Sequence, residues 1–147
     1  MSNFSKLKAR IKKNEGFKNY LYNDQLGNLT IGFGHLVRKK DNFITKKKYS
    51  KRCLNLVFEK DFKEALKDFK KEYQKKRIPK KFQELLIEMT FQLGIKNLLK
   101  FKRFNKFLMK NKPYLASLEM LDSQWYNQTP KRVESLIEIM LNQKNVK

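Results

Sequence analysis

Residues 15–35 read EGFKNYLYNDQLGNLTIGFGH, and this stretch decides the fold. Four of the five glycines of the chain, Gly16, Gly27, Gly32 and Gly34, lie in it. Aromatic and β-branched residues surround a Gly27-Asn28 step, so residues 20–35 are predicted to form a β-hairpin. A turn centred on Gly27 puts Asp24 opposite Thr30, and cross-strand partners share a face. The hairpin is therefore expected to present a carboxylate beside a hydroxyl. Gly32 falls on that same face without a side chain, leaving room for a ligand.

The distribution of acids points to the same place. Residues 1–57 hold 14 basic residues and three acids, Glu15, Asp24 and Asp41. The other 11 acids lie in 58–147, mostly at helical spacing beside lysines, as in EKDFKEALKDFKKE. Those read as solvated helix-surface pairs, each worth ~0.3–0.5 kcal/mol. Glu15 and Asp24 instead flank the glycine-rich segment in basic surroundings.

Upstream, residues 3–13 set Phe4, Leu7 and Ile11 among lysines at amphipathic helical spacing, with Gly16 suited to the C-terminal cap. Glu15 then sits at the negative end of the helix dipole, which favours a protonated carboxyl. Downstream, residues 36–44 form a short basic connection. Thr45 is the predicted cap of a long helix reaching about Gln74, with the stripe Tyr49, Cys53, Leu56/Val57, Asp61/Phe62, Ala65/Leu66, Phe69 and Tyr73. Pro79 opens the next helix, and residues 80–93, KKFQELLIEMTFQL, form the most apolar one, closed by Gly94. Glu88 inside it needs a partner. Further helices are predicted at 98–110, 113–122 and 130–142, the last capped by Thr129 with Pro130 at its first position. The expected fold is α+β, mostly α, in one domain over 1–147. A small hairpin lobe covers 15–45 and a linking helix 46–74. The helical lobe takes 75–147 together with the N-terminal helix 3–13.

The chain has 147 residues and a net charge of +21. That length fits one domain able to bury a core, and 40% hydrophobic content argues against disorder. No run approaches the ~20 apolar residues of a membrane span, and the N-terminus lacks the apolar stretch of a secretory signal. A lone cysteine, Cys53, excludes an internal disulfide framework, and with a lone histidine, His35, it makes a His/Cys zinc site implausible. Cys53 reads as a structural or incidental thiol on a helix. The charge calls for an anionic partner: nucleic acid, an acidic membrane face or an anionic cell wall.

Glu15-Gly16, Tyr22-x-Asp24 and Gly27-x-x-Thr30-Ile31-Gly32-x-Gly34-His35 together resemble the signature of the phage-type lysozymes, glycoside hydrolase family 24. The catalytic pattern of that family is a Glu, eight residues, an Asp, five residues and a Thr, which Glu15, Asp24 and Thr30 match. Phe91-Gln92-Leu93-Gly94 is similar to an F-Q-x-G block of the family. Trp125-Tyr126-Asn127-Gln128-Thr129-Pro130-x-Arg132 is similar to the W-Y-N-Q-T-P-x-R block of the T-even phage lysozymes.

The resemblance implies a two-lobed lysozyme-like fold and an endolysin that cuts the N-acetylmuramic acid to N-acetylglucosamine β-1,4 bond of peptidoglycan. Glu15 would donate the proton, Asp24 would activate or stabilise what attacks, and Thr30 would help hold a water. The family inverts at the anomeric carbon, so the Glu15 and Asp24 carboxyls are expected roughly 6.5–9.5 Å apart. Covalent retention through Asp24 is the alternative. By the family pattern His35 pairs with Asp61, although a role as a base stays open. Leu36 and Phe91 match saccharide-contacting positions, with core packing as the competitor for both, and Gln92 would reach the peptide stem. Asn14 stands where T-even relatives have Asp, and Glu88 where they have Asn. Glu88 is read as a relocated carboxylate paired with Arg132 behind Glu15. The connection after His35 is shorter than in T-even lysozymes, which implies a trimmed small lobe.

No cofactor and no metal are expected. The expected partners are peptidoglycan and the anionic cell envelope, with no nucleic acid required, no transmembrane segment and a monomeric chain. Synthesis in the host cytoplasm is expected, with action on the wall after release through a holin-made lesion. The competing reading is a non-catalytic cationic binder of nucleic acid or envelope, which explains the charge but not the Glu/Asp/Thr spacing. Intrinsic membrane disruption by basic amphipathic helices and a lytic transglycosylase are further rivals.

Overall fold

A computed structural model describes residues 4–143. The chain forms two compact units, one through residue 64 and one from residue 65. The architecture is α+β and mostly α.

The first unit opens with α1, Ser5–Glu15, whose apolar positions Leu7 and Ile11 are buried. It ends at Gly16, whose N–H bonds the Lys12 carbonyl at 3.0 Å. An antiparallel sheet follows, in the order β1 (Lys18–Asn23), β2 (Leu29–Gly32), β3 (His35–Leu36). The helix α2, Lys51–Tyr73, runs across the boundary between the units. Ile31, Phe33, Leu54, Phe58 and Phe62 join Leu7 and Ile11 in the core of the first unit. Phe33 meets Phe58 edge-on, ring centroids 5.8 Å apart, and the Lys12 ammonium lies 4.8 Å from the Phe58 ring centre. Lys8 on α1 bonds Glu59 on α2 at 2.8 Å. These contacts tie α1 and the β2–β3 turn to the first half of α2.

Three local readings need correction. The long helix starts at Lys51, six residues after Thr45, and its cap is Ser50, whose Oγ accepts from the Cys53 N–H at 3.1 Å. The intervening chain is drawn to the sheet instead, where the Tyr49 N–H bonds the Asn19 carbonyl and the Tyr49 hydroxyl accepts from the Ile44 N–H. The apolar stripe of α2 is consequently Leu54, Phe58, Phe62, Ala65, Phe69 and Tyr73. Cys53 and Leu56 face solvent. The hairpin turn is also displaced: Tyr22, not Asp24, pairs with Thr30, and Asn23 pairs with Leu29. The turn centres on Leu26 because the Asp24 carboxylate accepts the Leu26 and Asn28 N–H groups, a side-chain-closed turn that overrides the Gly-Asn signal.

In the second unit a 3₁₀ turn, Lys80–Phe82, leads into α3, Gln83–Leu93. Five further helices follow: α4 Ile95–Lys100, α5 Lys102–Met109, α6 Pro113–Leu121, α7 Gln124–Gln128 and α8 Pro130–Leu141. The predicted helix 98–110 is thus split at Phe101, and α7 is an added short helix capped by the Ser123 hydroxyl. Thr129 stands at the start of α8 but donates its hydroxyl back to the Trp125 carbonyl at 3.2 Å. Leu86, Met89, Leu98, Phe104, Leu108, Val133 and Leu136 form the core of this unit. Buried Asn105 bridges helices, donating to the Leu98 and Phe101 carbonyls while its Oδ1 accepts from the Tyr73 hydroxyl. Among the described residues no helix is long and apolar enough to cross a membrane.

Candidate active site

Glu15 is the last residue of α1, half-buried, and its side chain packs on the turn between β2 and β3. The contact is with Gly34, which has φ +75°. A Cβ there would collide with Glu15 Oε2 and come within 3.0 Å of its Cδ. The missing side chain is what admits the carboxyl. The sequence reading looked to Gly32 for an open space, as room for a ligand beside Asp24 and Thr30. The structure puts Gly32 against α2 instead, where a Cβ would lie 3.3 Å from Leu54 Cβ. Gly32 therefore serves sheet-to-helix packing, and Gly34 is the residue that the sequence reading missed. Both glycines of the G-x-G motif were visible, but no pattern said which of them faces the acid.

Asp24 and Thr30 are brought together through Asn28. Asp24 Oδ1 accepts the Leu26 and Asn28 N–H groups at 2.9 and 2.8 Å. The Asn28 carbonyl accepts the Asp24 N–H at 2.9 Å and the Thr30 hydroxyl at 2.8 Å. Thr30 is almost fully buried, at 2% exposure. Its hydroxyl proton is committed to Asn28, so Oγ1 can only accept from a further molecule. Asp24 Oδ1 is likewise committed, while among the described residues Oδ2 meets the Asn28 amide alone, at 3.5 Å. One carboxylate oxygen and one hydroxyl oxygen are thereby prepared as acceptors, the combination that a water with two protons to donate would meet.

His35 begins β3 and is held by two carboxylates. Nδ1 lies 2.7 Å from Asp61 Oδ2 on α2, and Nε2 lies 2.8 Å from Asp41 Oδ2. Bonds to Asp61 first, and then to Asp41, raise the imidazole pKa above its ordinary value despite burial. Burial works to raise the Asp41 pKa, but the Arg38 N–H and His35 hold it below the usual carboxylate value. Both ring nitrogens are engaged, which makes His35 an ion-pair centre between sheet and helix and leaves neither nitrogen to act as a base. The sequence reading supplied Asp61 but not Asp41. The available signal was that Asp41 is one of three acids in the first 57 residues.

The remaining candidates are dispersed. Leu36 on β3 is exposed. Phe91 and Gln92 are half-buried on α3. Gln92 donates from Nε2 to Glu88 Oε2 at 3.4 Å, and its Oε1 is enclosed with no donor among the described residues. Glu88 is fully buried, Arg132 is half-buried in the first turn of α8, and α3 packs on α8. Among the described residues, no group of three or more His, Cys, Asp or Glu is placed to hold a metal ion.

A family model described as phage lysozyme matches residues 12–143. The span includes every residue of the candidate site. A protein of Dictyostelium discoideum named Probable T4-type lysozyme 2 is 32% identical, over 92% of this chain and 93% of its own. Another from the same organism, Probable T4-type lysozyme 1, is 29% identical over 92% of this chain and 94% of its own. With a family match over nearly its whole length, the chain belongs to the phage lysozyme family and is a lysozyme, a hydrolase of peptidoglycan.

Proposed function

We propose that the chain cleaves the N-acetylmuramic acid to N-acetylglucosamine β-1,4 bond with inversion. Glu15 donates its proton to the leaving glycosidic oxygen as the C1–O bond breaks. A water attacks C1 from the opposite face, giving one proton to Asp24 and directing the other at Thr30 Oγ1. The products are a reducing sugar end and a free hydroxyl. Glu15 leaves the reaction ionised and Asp24 protonated, and exchange with solvent restores both. The observation that carries the reading is the Asp24–Asn28–Thr30 linkage, which leaves one acceptor oxygen on each side chain for the attacking water. The expected carboxyl separation for this chemistry is roughly 6.5–9.5 Å.

In this reading Leu36, Phe91 and Gln92 contact saccharide and peptide stem, and Glu88 pairs with Arg132 to brace α3. The biological setting proposed is lysis of a bacterial host by a monomeric endolysin. It is made in the host cytoplasm and reaches the wall after release. The charge of +21 favours adsorption on an anionic wall or envelope.

The test is mass spectrometry of soluble products from purified sacculi digested by wild type and by Glu15→Gln, with the anomeric form of fresh product ends read by NMR. Reducing muropeptides from wild type alone, formed as the α-anomer, are expected. Products ending in 1,6-anhydro sugars would make the enzyme a lytic transglycosylase. β-anomers would mean retention through Asp24. Release of muropeptides that survives Glu15→Gln would remove Glu15 from the chemistry.

A further inference from the structure

The sequence of α6, PYLASLEML, has one charged residue, Glu119, in a chain that is 33% charged. Its inner face, Ala116, Ser117 and Met120, is buried where α6 packs against α5, α7 and α8. Its outer face is also apolar. Tyr114, Leu118 and Leu121 follow one another at four and three residues, and Leu115 lies beside them. Tyr114 is 67% exposed and Leu118 44%. Exposed Met109, at the end of α5, adds to the apolar surface of this helix pair. A helix that is apolar around its circumference is ordinarily covered on all sides, yet the described residues leave this face open.

The surroundings indicate what covers it. Lys110, Asn111 and Lys112 form the exposed connection between α5 and α6, and Lys102 and Lys106 are exposed on α5. Arg103 reaches across to Glu119 at 3.5 Å and offsets the only acid of α6. A second copy of the chain on this face would bring +21 against +21. An anionic surface gains from the same charges.

We propose that the outer face of α6 docks on an anionic lipid bilayer. Tyr114, Leu115, Leu118 and Leu121 enter the boundary between headgroups and acyl chains, and the lysines of the α5–α6 connection meet lipid phosphates. Tyr114 suits the boundary because its ring is apolar and its hydroxyl stays wet.

The experiment is co-sedimentation of the full chain with vesicles of phosphatidylglycerol and phosphatidylcholine, and with vesicles of phosphatidylcholine alone. The variants are Leu115→Asn/Leu118→Asn, Tyr114→Asn, and the control Leu56→Asn, an exposed leucine on α2. Wild type and control are expected to pellet with the anionic vesicles. The double variant is expected to bind at least about tenfold more weakly, because two apolar insertions are lost without a change of charge. Tyr114→Asn is expected to shift binding in the same direction. Equal binding by the double variant and wild type would overturn the proposal by reducing the attraction to charge alone. Failure of wild type to bind would overturn it too, as would a wild-type dimer that the double variant converts to monomer. Hydrolysis of sacculi, measured on every preparation, is expected to be unchanged and reports folding. Its absence in wild type would count against the proposed glycosidase and not against the docking surface.

Discussion

At the scale of single residues, Gly32 and Gly34 are two positions apart in the same motif and do different work. Both have positive φ, so an alanine at either costs on the order of 1–3 kcal/mol in backbone strain. Only at Gly34 does the new methyl meet the Glu15 carboxyl. Gly34→Ala is therefore expected to lower kcat on sacculi well beyond its effect on thermal stability. Gly32→Ala, which presses on Leu54, is expected to lower Tm while the folded fraction keeps its activity. Equal activity in the two folded variants would show that Gly34 does not seat the acid. Asp24 allows a complementary experiment. Its Oδ1 closes the turn by accepting two backbone N–H groups. The amide oxygen of Asn can do the same, but the amide cannot take a proton from water. Asp24→Asn should leave the unfolding free energy within about 1 kcal/mol of wild type and reduce hydrolysis by at least about a hundredfold. A large loss of Tm would assign Asp24 chiefly to the turn.

At the scale of elements, the ion-pair centre at His35 ties β3 to α2 and to the turn that carries Asp41. The imidazole pKa is raised on folding. The stabilisation is therefore fully present below the unfolded value, about 6.5, and is lost as pH rises through the higher folded value. Asp41 acts in the opposite direction. Its carboxyl pKa is lowered, so its share is present above the unfolded value and is lost as pH falls through the folded one. Wild-type Tm is expected to decline from mildly acid to mildly alkaline pH more steeply than that of His35→Asn. Parallel profiles would mean that the imidazole is not charged in the fold. The start of α2 also belongs to this scale. Thr45 and Ser50 are both competent caps by residue type. Ser50 prevails because Tyr49 is held by Asn19 and Ile44, keeping residues 45–49 out of the helix.

At the scale of the whole molecule, the excess of 35 basic over 14 acidic residues predicts adsorption to anionic polymer. A cleft of about 600 Å³ in the first unit gathers part of that charge. It is lined by Lys12, Lys13, Lys51 and Arg52, with Phe33 and no acid. Retention of Glu15→Gln on purified sacculi is expected to fall steeply as salt shortens the screening length from ~10 Å at 0.1 M to ~3 Å at 1 M. Retention that ignores salt would locate binding in uncharged saccharide contacts instead. Hydrolysis and adsorption are expected to be separable, since the proposed chemistry needs a few side chains and the adsorption needs the summed field.

The chain itself determined whatever depends on local spacing. The helix ending at Gly16, the hairpin and the apolar stretch of α3 were legible, because periodicity and turn chemistry act over a few residues, whereas the Glu15/Asp24/Thr30 pattern was read from the family resemblance. The pairing of His35 with Asp61 was legible only through the family pattern. Four features were decided only in the folded structure. The turn centred on Leu26 because a side chain supplied the closing hydrogen bonds. The stripe of α2 shifted to Leu54 and Phe58 because contacts between Tyr49 and the sheet set where the helix could start. Asp41 completed the His35 centre because a loop returned it to the imidazole. The space beside Glu15 fell to Gly34 because α1 and the sheet meet there. The start of α2 and the seat of Glu15 depend on approaches between separate segments, which no local pattern encodes; the turn and the Asp41 bond are shorter-range choices among competing local contacts that residue types alone did not rank. For that reason the candidate acids and the hydroxyl could be named from the chain, while Gly34, Asp41 and the contacts of all of them had to come from the fold.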